Sequence, residues 1–322
     1  MRKFALAHPA YYVVELIQAA IANGASYVDI DVERHEVTLS YVGGSFSEEQ
    51  LGQLFEFLFA SKENLDLADV RQLALGVNAL LLAEPIEVII ESGDGHLENT
   101  TRVLIDGKNN TVDVGTPTDP LNGTFVRATG LDRGILGYGN LGPKELDVIE
   151  GRCLVSPIPI IVNNEPIFGY TSERIPKVFG VERAISFDEG DLYGTIGLSL
   201  QDGESRDYKL LTFGVWVESV RHDIVNAPLG GVINFDRLHK TVDHASIVRD
   251  DRWDEMWARV LPYARQLESG KSGVAKYDVS LLDGTELDTA QLRRMLKDAG
   301  GAIVVKRNAA TDGNRIQTSV LY

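Results

Sequence analysis

The spacing of apolar residues changes abruptly at Asn23-Gly24, and that change constrains the fold more than any other feature of the sequence. Before it, Val13, Leu16, Ile17, Ala20 and Ile21 recur every three or four residues, as on one face of a helix. Pro9 sits at the opening of this helix, because its fixed φ suits the first turn and its missing N–H is not needed there. Gly24 supplies the left-handed turn that ends the helix. After it, Val28, Ile30 and Val32 alternate with polar residues, the pattern of a half-buried strand.

The next elements arrive in groups. Glu36 to Val42 reads as a second strand, and "SEEQLGQLFEFLF" opens a helix with a capping box formed by Ser47 and Gln50. A further helix is expected at about Val70–Leu82, followed by strands at Ile86–Glu91, Thr100–Ile105 and around Thr124–Ala128. Grouped helices and strands argue for an α+β sandwich, with helices on one face of a mixed sheet, over a doubly wound fold. "GPKELDVIEGRCL" reads as a helix and "IPIIVNNEPIF" as a hairpin turning at Asn163-Asn164. The stretch around 175–191 marks the passage into a second domain, giving a division into 1–175 and 176–322. Strands follow at about Leu192–Leu200, Lys209–Val220 and Gly231–Phe235. A helix from about Asp250 to Leu267 places Trp253, Met256, Trp257, Val260 and Ala264 on one core-facing stripe. A strand–helix–strand unit, "YDVSLL", "DTAQLRRMLKDAG" and "GAIVVK", closes the chain.

The 322 residues give room for two cores, and 44% apolar with 24% charged residues is a globular composition. A net charge of −16 opposes a phosphate backbone, so no nucleic acid is expected. No apolar run reaches the roughly 18–20 residues of a membrane span, and the N-terminus lacks the pattern of a signal peptide. Cys153 is the sole cysteine, which excludes an internal disulfide and fits a reducing, cytoplasmic setting as a core residue.

Four short stretches in the first 130 residues, Glu15-Leu16-Ile17-Gln18-Ala19-Ala20-Ile21-Ala22-Asn23, Tyr41-Val42-Gly43-Gly44-Ser45, Leu73-Ala74-Leu75-Gly76-Val77-Asn78 and Gly123-Thr124, resemble motifs of the GHKL, or Bergerat-fold, ATPases. That group includes the ninety-kilodalton heat-shock chaperones, MutL-type repair proteins, type II topoisomerase ATPase subunits and histidine kinases. Their first motif has the form E-L-I-x-N-A-x-D-A, and this chain reads Glu15-Leu16-Ile17-Gln18-Ala19-Ala20-Ile21-Ala22-Asn23. The resemblance makes Glu15 the general base that orients the attacking water. Ala19 replaces the asparagine that holds Mg²⁺ and Ala22 the aspartate, and alanine has no oxygen for a hard cation. The second motif, D-x-G-x-G, becomes Tyr41-Val42-Gly43-Gly44-Ser45. Tyr41 stands where the family has the adenine-binding aspartate, and its ring could occupy adenine space. The alternative is that this is a plain strand-to-helix turn. The third motif is a glycine-rich turn opening a helix, whose N–H groups cradle phosphates. Here it is Leu73-Ala74-Leu75-Gly76-Val77-Asn78, with Gly76 alone surviving. Lys62 matches a position in the loop over the nucleotide, and Gly123-Thr124 a late G-T on a strand.

The second half resembles the chaperone middle domain. In "GGVINFDRLHKTVDHASIVRDDRW", Asp243-His244 align with a Ser-Arg whose arginine reaches the ATP γ-phosphate, leaving that arginine absent unless Arg237 or Arg249 replaces it. The resemblance implies an inherited ATP pocket formed by Tyr41, Gly43, Gly44, Lys62, Gly76 and Thr124. Several ligands are lost together, including the Mg²⁺ site at Ala19. The expected function is a chaperone-like module that binds another protein, with weak or no nucleotide binding. A homodimer is compatible with it. The alternative is an active ATPase with rerouted ligands, Asp29, Asp31 or Gln18 first among them. His239, Asp243 and His244 have poor spacing for a metal site. "DGKNNTVD", Asp106 to Asp113, has calcium-loop character without the closing glutamate.

Overall fold

A computed structural model describes residues 6–61, 64–109, 111–131, 138–139, 142–167, 174–176, 181–199, 207–270, 303–305 and 318–320. These residues form a mixed α+β structure in two compact units. The first comprises residues 1–169 with two later segments, 213–215 and 240–245; the second comprises 170–212, 216–239 and 246–322.

The first unit opens with helix α1, Tyr11–Ala22, which starts two residues after Pro9 and ends at Asn23, with Gly24 left-handed at φ 78°. Strands β1 (Val28–Val32) and β2 (Glu36–Tyr41) then pair antiparallel. Ser47 caps the short helix α2, Glu48–Gly52, and the reciprocal bonds Gln50 N–H to Ser47 Oγ and Ser47 N–H to Gln50 Oε1 complete the capping box. The expected single helix through "LFEFLF" breaks here: Leu54–Phe59 continues as a 3₁₀ turn. Helix α3 is Ala68–Leu80. Strands β3 (Glu87–Asp94), β4 (Thr101–Asp106), β5 (Thr111–Gly115) and β6 (Asn122–Thr129) follow. One short antiparallel pairing, of β7 (Tyr138–Gly139) with β8 (Gly142–Pro143), precedes helix α4, Lys144–Arg152. The β9 (Ile160–Val162) and β10 (Glu165–Pro166) hairpin turns on Asn163 and Asn164, both left-handed at φ 51° and 65°.

One eight-stranded sheet has the order β10-β9-β1-β2-β6-β3-β4-β5, with β9 parallel to β1. In β1, β2 and β4 every second residue is buried. Those residues share one core with α1 and α3, including Val13, Ile17, Ile30, Leu39, Leu73 and Ile90. Helix α1 is buried almost all round, which explains its alanines: Ala19 and Ala20 are fully enclosed, where a larger side chain would overpack.

The second unit carries β11 (Val181–Asp188), β12 (Leu192–Ser199), β13 (Tyr208–Thr212), β14 (Val215–Val220) and β15 (Leu229–Phe235) in the sheet order β11-β12-β15-β13-β14. The single strand expected over Lys209–Val220 is two, because Phe213 and Gly214 both turn left-handed. Helix α5, Asp251–Glu268, is capped by Asp250, which accepts from the N–H groups of Arg252 and Trp253. Its stripe of Met256, Trp257, Val260 and Ala264 packs in this unit's core, as the periodicity requires. The last pairing is β16 (Ile303–Val305) with β17 (Thr318–Val320). "YDVSLL" and "DTAQLRRMLKDAG" lie outside the described residues. No described helix is long and apolar enough to cross a membrane.

Candidate functional site: a buried ion cluster on the first helix

Glu15 and Gln18 are three residues apart on α1 and therefore share a face. Both are buried, at 2% and 1% exposure, in a helix whose other faces are apolar. An isolated carboxylate cannot remain ionised there without a counter-charge. The counter-charge comes from residues 240–245, the late segment that belongs to the same unit. Lys240 Nζ donates to Glu15 Oε1 and Oε2, each at 2.6 Å, and to Gln18 Oε1 at 2.6 Å. His244 Nδ1 lies 2.7 Å from Glu15 Oε1. An ionised carboxylate only accepts, so this contact places a proton on His244 Nδ1.

A tight turn presents both Lys240 and His244. His244 N–H donates to the Thr241 carbonyl at 2.9 Å, and Thr241 Oγ1 donates to Asp243 Oδ1 at 2.6 Å. His244 adopts a left-handed φ of 58°, and the Asp243 carbonyl accepts from Ala7 N–H at 2.9 Å. Burial by itself would raise the Glu15 carboxyl pKa; Lys240 and His244 overcome that and hold it down at about 2. The carboxylate is thus ionised, fully engaged and shielded from water.

Ala19, one turn beyond Glu15, is 0% exposed and belongs to the apolar core. It offers no oxygen to a cation. Gln18 gives its side-chain oxygen to Lys240. Asp29 and Asp31 alternate with the buried Val28, Ile30 and Val32, so they stand on the other face of β1 from the helices.

A second polar group gathers at the ends of β2, β3 and β6. Tyr41 is paired in register with Thr124, and Thr124 with Ser92. Ser92 Oγ and Thr124 Oγ1 are 2.9 Å apart, and Phe46 N–H donates to Ser92 Oγ at 2.9 Å. Tyr41 is 3% exposed, and burial pushes its phenol up, with a smaller opposing effect from Thr124. Gly123 is required here: it has φ 106°, and a Cβ would stand 2.0 Å from the Tyr41 carbonyl oxygen. Gly43 and Gly44 lie against the end of α1, where Gly44 N–H donates to the Asn23 carbonyl at 2.8 Å and Asn23 Nδ2 donates to Asp69 Oδ2 at 2.8 Å.

Gly76 departs from expectation. It lies in the middle of α3 and not at a helix-opening turn, and a Cβ on it would sit 2.7 Å from Leu16 Cδ2. Its smallness serves the close approach of α3 to α1, so its N–H belongs to the helix ladder and not to a phosphate cradle. Lys62 lies outside the described residues. His239 bonds Asp250 at 2.7 Å while His244 bonds Glu15, so these two histidines serve different partners. The calcium-like segment is a turn in which Asp106 accepts from the N–H groups of Lys108 and Asn109, 2.8 and 2.9 Å away. Among the described residues, no group of three or more His, Cys, Asp or Glu side chains is arranged to hold a metal.

Sequence reasoning reached Glu15 and missed Lys240, the residue that most defines its surroundings. The available signal was that Lys240 is the sole lysine in the segment compared with the chaperone middle domain. No family model matches the chain, and no curated protein matches it at a significant level.

Proposed function

We propose that the chain is a GHKL-type, chaperone-like protein whose inherited nucleotide site serves as a structural ion cluster, and that it acts by binding another protein. The observation that carries this reading is the capture of Glu15. The carboxylate that would orient water is held at 2.6 and 2.7 Å by Lys240 and His244 in a buried setting. Two further features support it. Ala19 presents only a methyl group where the resemblance requires a Mg²⁺ ligand, and Tyr41 buries its ring where the resemblance requires a carboxylate. These residues do not fit a magnesium nucleotide. The order of elements supports the kinship: a helix with Glu15, two strands, a glycine turn, a helix, then further strands of the same mixed sheet.

A second reading rests on Lys240 itself. An ATPase with rerouted ligands would also keep a cation beside its general base, ready to exchange the carboxylate for a phosphate oxygen. Calorimetric titration with ATP, with and without Mg²⁺, separates the two. The protein-binding reading expects no Mg²⁺-dependent binding tighter than about 100 μM, the range expected once a charge-assisted bond and the metal ligand are lost. Tighter, Mg²⁺-dependent binding refutes it and favours the ATPase.

A further inference from the structure

Two rows of apolar side chains cross the core face of the eight-stranded sheet and run out into solvent on its last strand. Val88 of β3, Ile105 of β4 and Val112 of β5 stand opposite one another in register, as do Ile90, Val103 and Val114. Opposite residues of antiparallel strands share a face of the sheet. Val88, Ile90, Val103 and Ile105 are buried in the core of the first unit. Val112 and Val114 are 44% and 41% exposed. The apolar face of the sheet thus extends one strand further than its cover.

Strand β5 also ends the strand order, and all five of its residues are exposed. An edge strand turns alternate backbone N–H and C=O groups outward, where another chain can pair with them. An added strand with its apolar side chains on the Val112 side would extend the ladder and bury both valines in one step.

Charge selects the occupant. Asp113 stands between the two valines and, by strand alternation, on the opposite face. Asp106, in register with Thr111, shares that opposite face. On the core side, α2 lies beside β4 and β5 and brings the exposed Glu48 and Glu49. Against these stand Lys108, in the β4–β5 turn, and Arg102, which is paired with Glu91 at 3.6 Å. A second copy of the chain fits poorly. Antiparallel self-pairing centred on β5 sets Asp113 opposite Asp113, in two chains that each carry a net charge of −16.

We propose that β5 is a docking edge for an extended, basic segment of another protein. That segment adds to the sheet as one more strand, with apolar residues over Val112 and Val114 and lysine or arginine on the Asp113 face. The class of occupant rests on the protein-binding reading, while the edge itself is tested without nucleotide, so the two can fail separately.

The test uses the full chain and a capped, dye-labelled peptide that alternates valine with lysine, held at concentrations where it is monomeric. Fluorescence anisotropy should show saturable binding, and hydrogen exchange should show slowed amides in residues 111–115 of the complex. The Val112→Lys, Val114→Lys double variant should bind at least about tenfold more weakly, from the lost apolar burial and the added like charge. A peptide N-methylated at alternate residues, which cannot complete the ladder, should weaken as much against wild-type protein. A valine–glutamate peptide should not bind. Circular dichroism checks that the variant is folded; if it is not, the N-methylated peptide and the exchange data on wild-type protein decide. Absence of saturation, equal binding of the N-methylated or glutamate peptide, undiminished binding by the folded variant, or protection away from β5 overturns the site. Sedimentation velocity examines the competing occupant: a wild-type dimer that the double variant abolishes would make a second copy the partner and overturn the basic segment.

Discussion

Replacing Lys240 with methionine keeps most of the aliphatic stem and removes the ammonium from the Glu15 cluster. The size of the effect follows from the carboxylate. Glu15 is held at about 2 against an ordinary 4.5. At about 1.4 kcal/mol per unit, this is about 3 kcal/mol of stability at neutral pH. The native pKa is the depressed one, so that stability is present above pH 4.5 and is lost as pH falls toward 2. Removing Lys240 leaves Glu15 buried with the His244 Nδ1 contact as its remaining partner from that segment, and breaking a buried pair in this way costs about 3–5 kcal/mol. The double variant Glu15→Leu, Lys240→Met removes both charges and should recover most of the loss, giving a coupling of at least about 2 kcal/mol in the cycle. The assay is urea unfolding at pH 7 followed by far-UV circular dichroism, repeated between pH 5 and pH 3. Tryptophan fluorescence reports the second unit separately, since Trp216, Trp253 and Trp257 all belong to it. Wild-type protein should lose stability steadily through the acidic range, and Glu15→Gln should show a shallower loss. A Lys240→Met protein within about 0.5 kcal/mol of wild type, or single effects that simply add, refutes the view that this cluster is a coupled, buried ion site.

Gly76→Ala should destabilise by about 1–3 kcal/mol through overpacking, because the added Cβ would stand 2.7 Å from Leu16 Cδ2. Pairing it with Leu16→Ala should relieve part of that loss in the same unfolding assay. Cys153 is buried with its thiol pushed up to about 12, so it should resist a thiol reagent at pH 8 in native protein and react fully in denaturant. Fast native labelling would show that α4 opens readily.

Local pattern explains which parts of the fold were legible. The α1 stripe and the alternation in β1 and β2 each arise from residues close in sequence, so their periods survive in a one-dimensional reading. The Asn163-Asn164 turn was legible for the same reason, since both residues tolerate left-handed backbone. The break at Phe213-Gly214 was not, because phenylalanine rarely adopts φ 46° and gives no turn signal. Strand β5 escaped as well: all five of its residues are exposed, so it lacks the half-buried alternation that marks a strand. The candidate site was legible only on its helical side. Glu15 stood out as the one charged residue of its helix, but its partner Lys240 is 225 residues away. No spacing rule reaches that far, and the alignment with a chaperone segment directed attention to Asp243 and His244. Of those, His244 does reach Glu15, by a turn that no local propensity announces.

The membership of residues 240–245 in the first unit has a consequence for how this protein can be divided. The sequence leaves that unit at 169 and returns to it for two short visits. A fragment ending at 169 would therefore contain every strand of the eight-stranded sheet and still carry a buried glutamate stripped of both Lys240 and His244. Recombination, truncation or fusion at the obvious midpoint would separate an acid from its bases. A fragment that keeps Glu15 without residues 240–245 would need a counter-charge supplied from somewhere else.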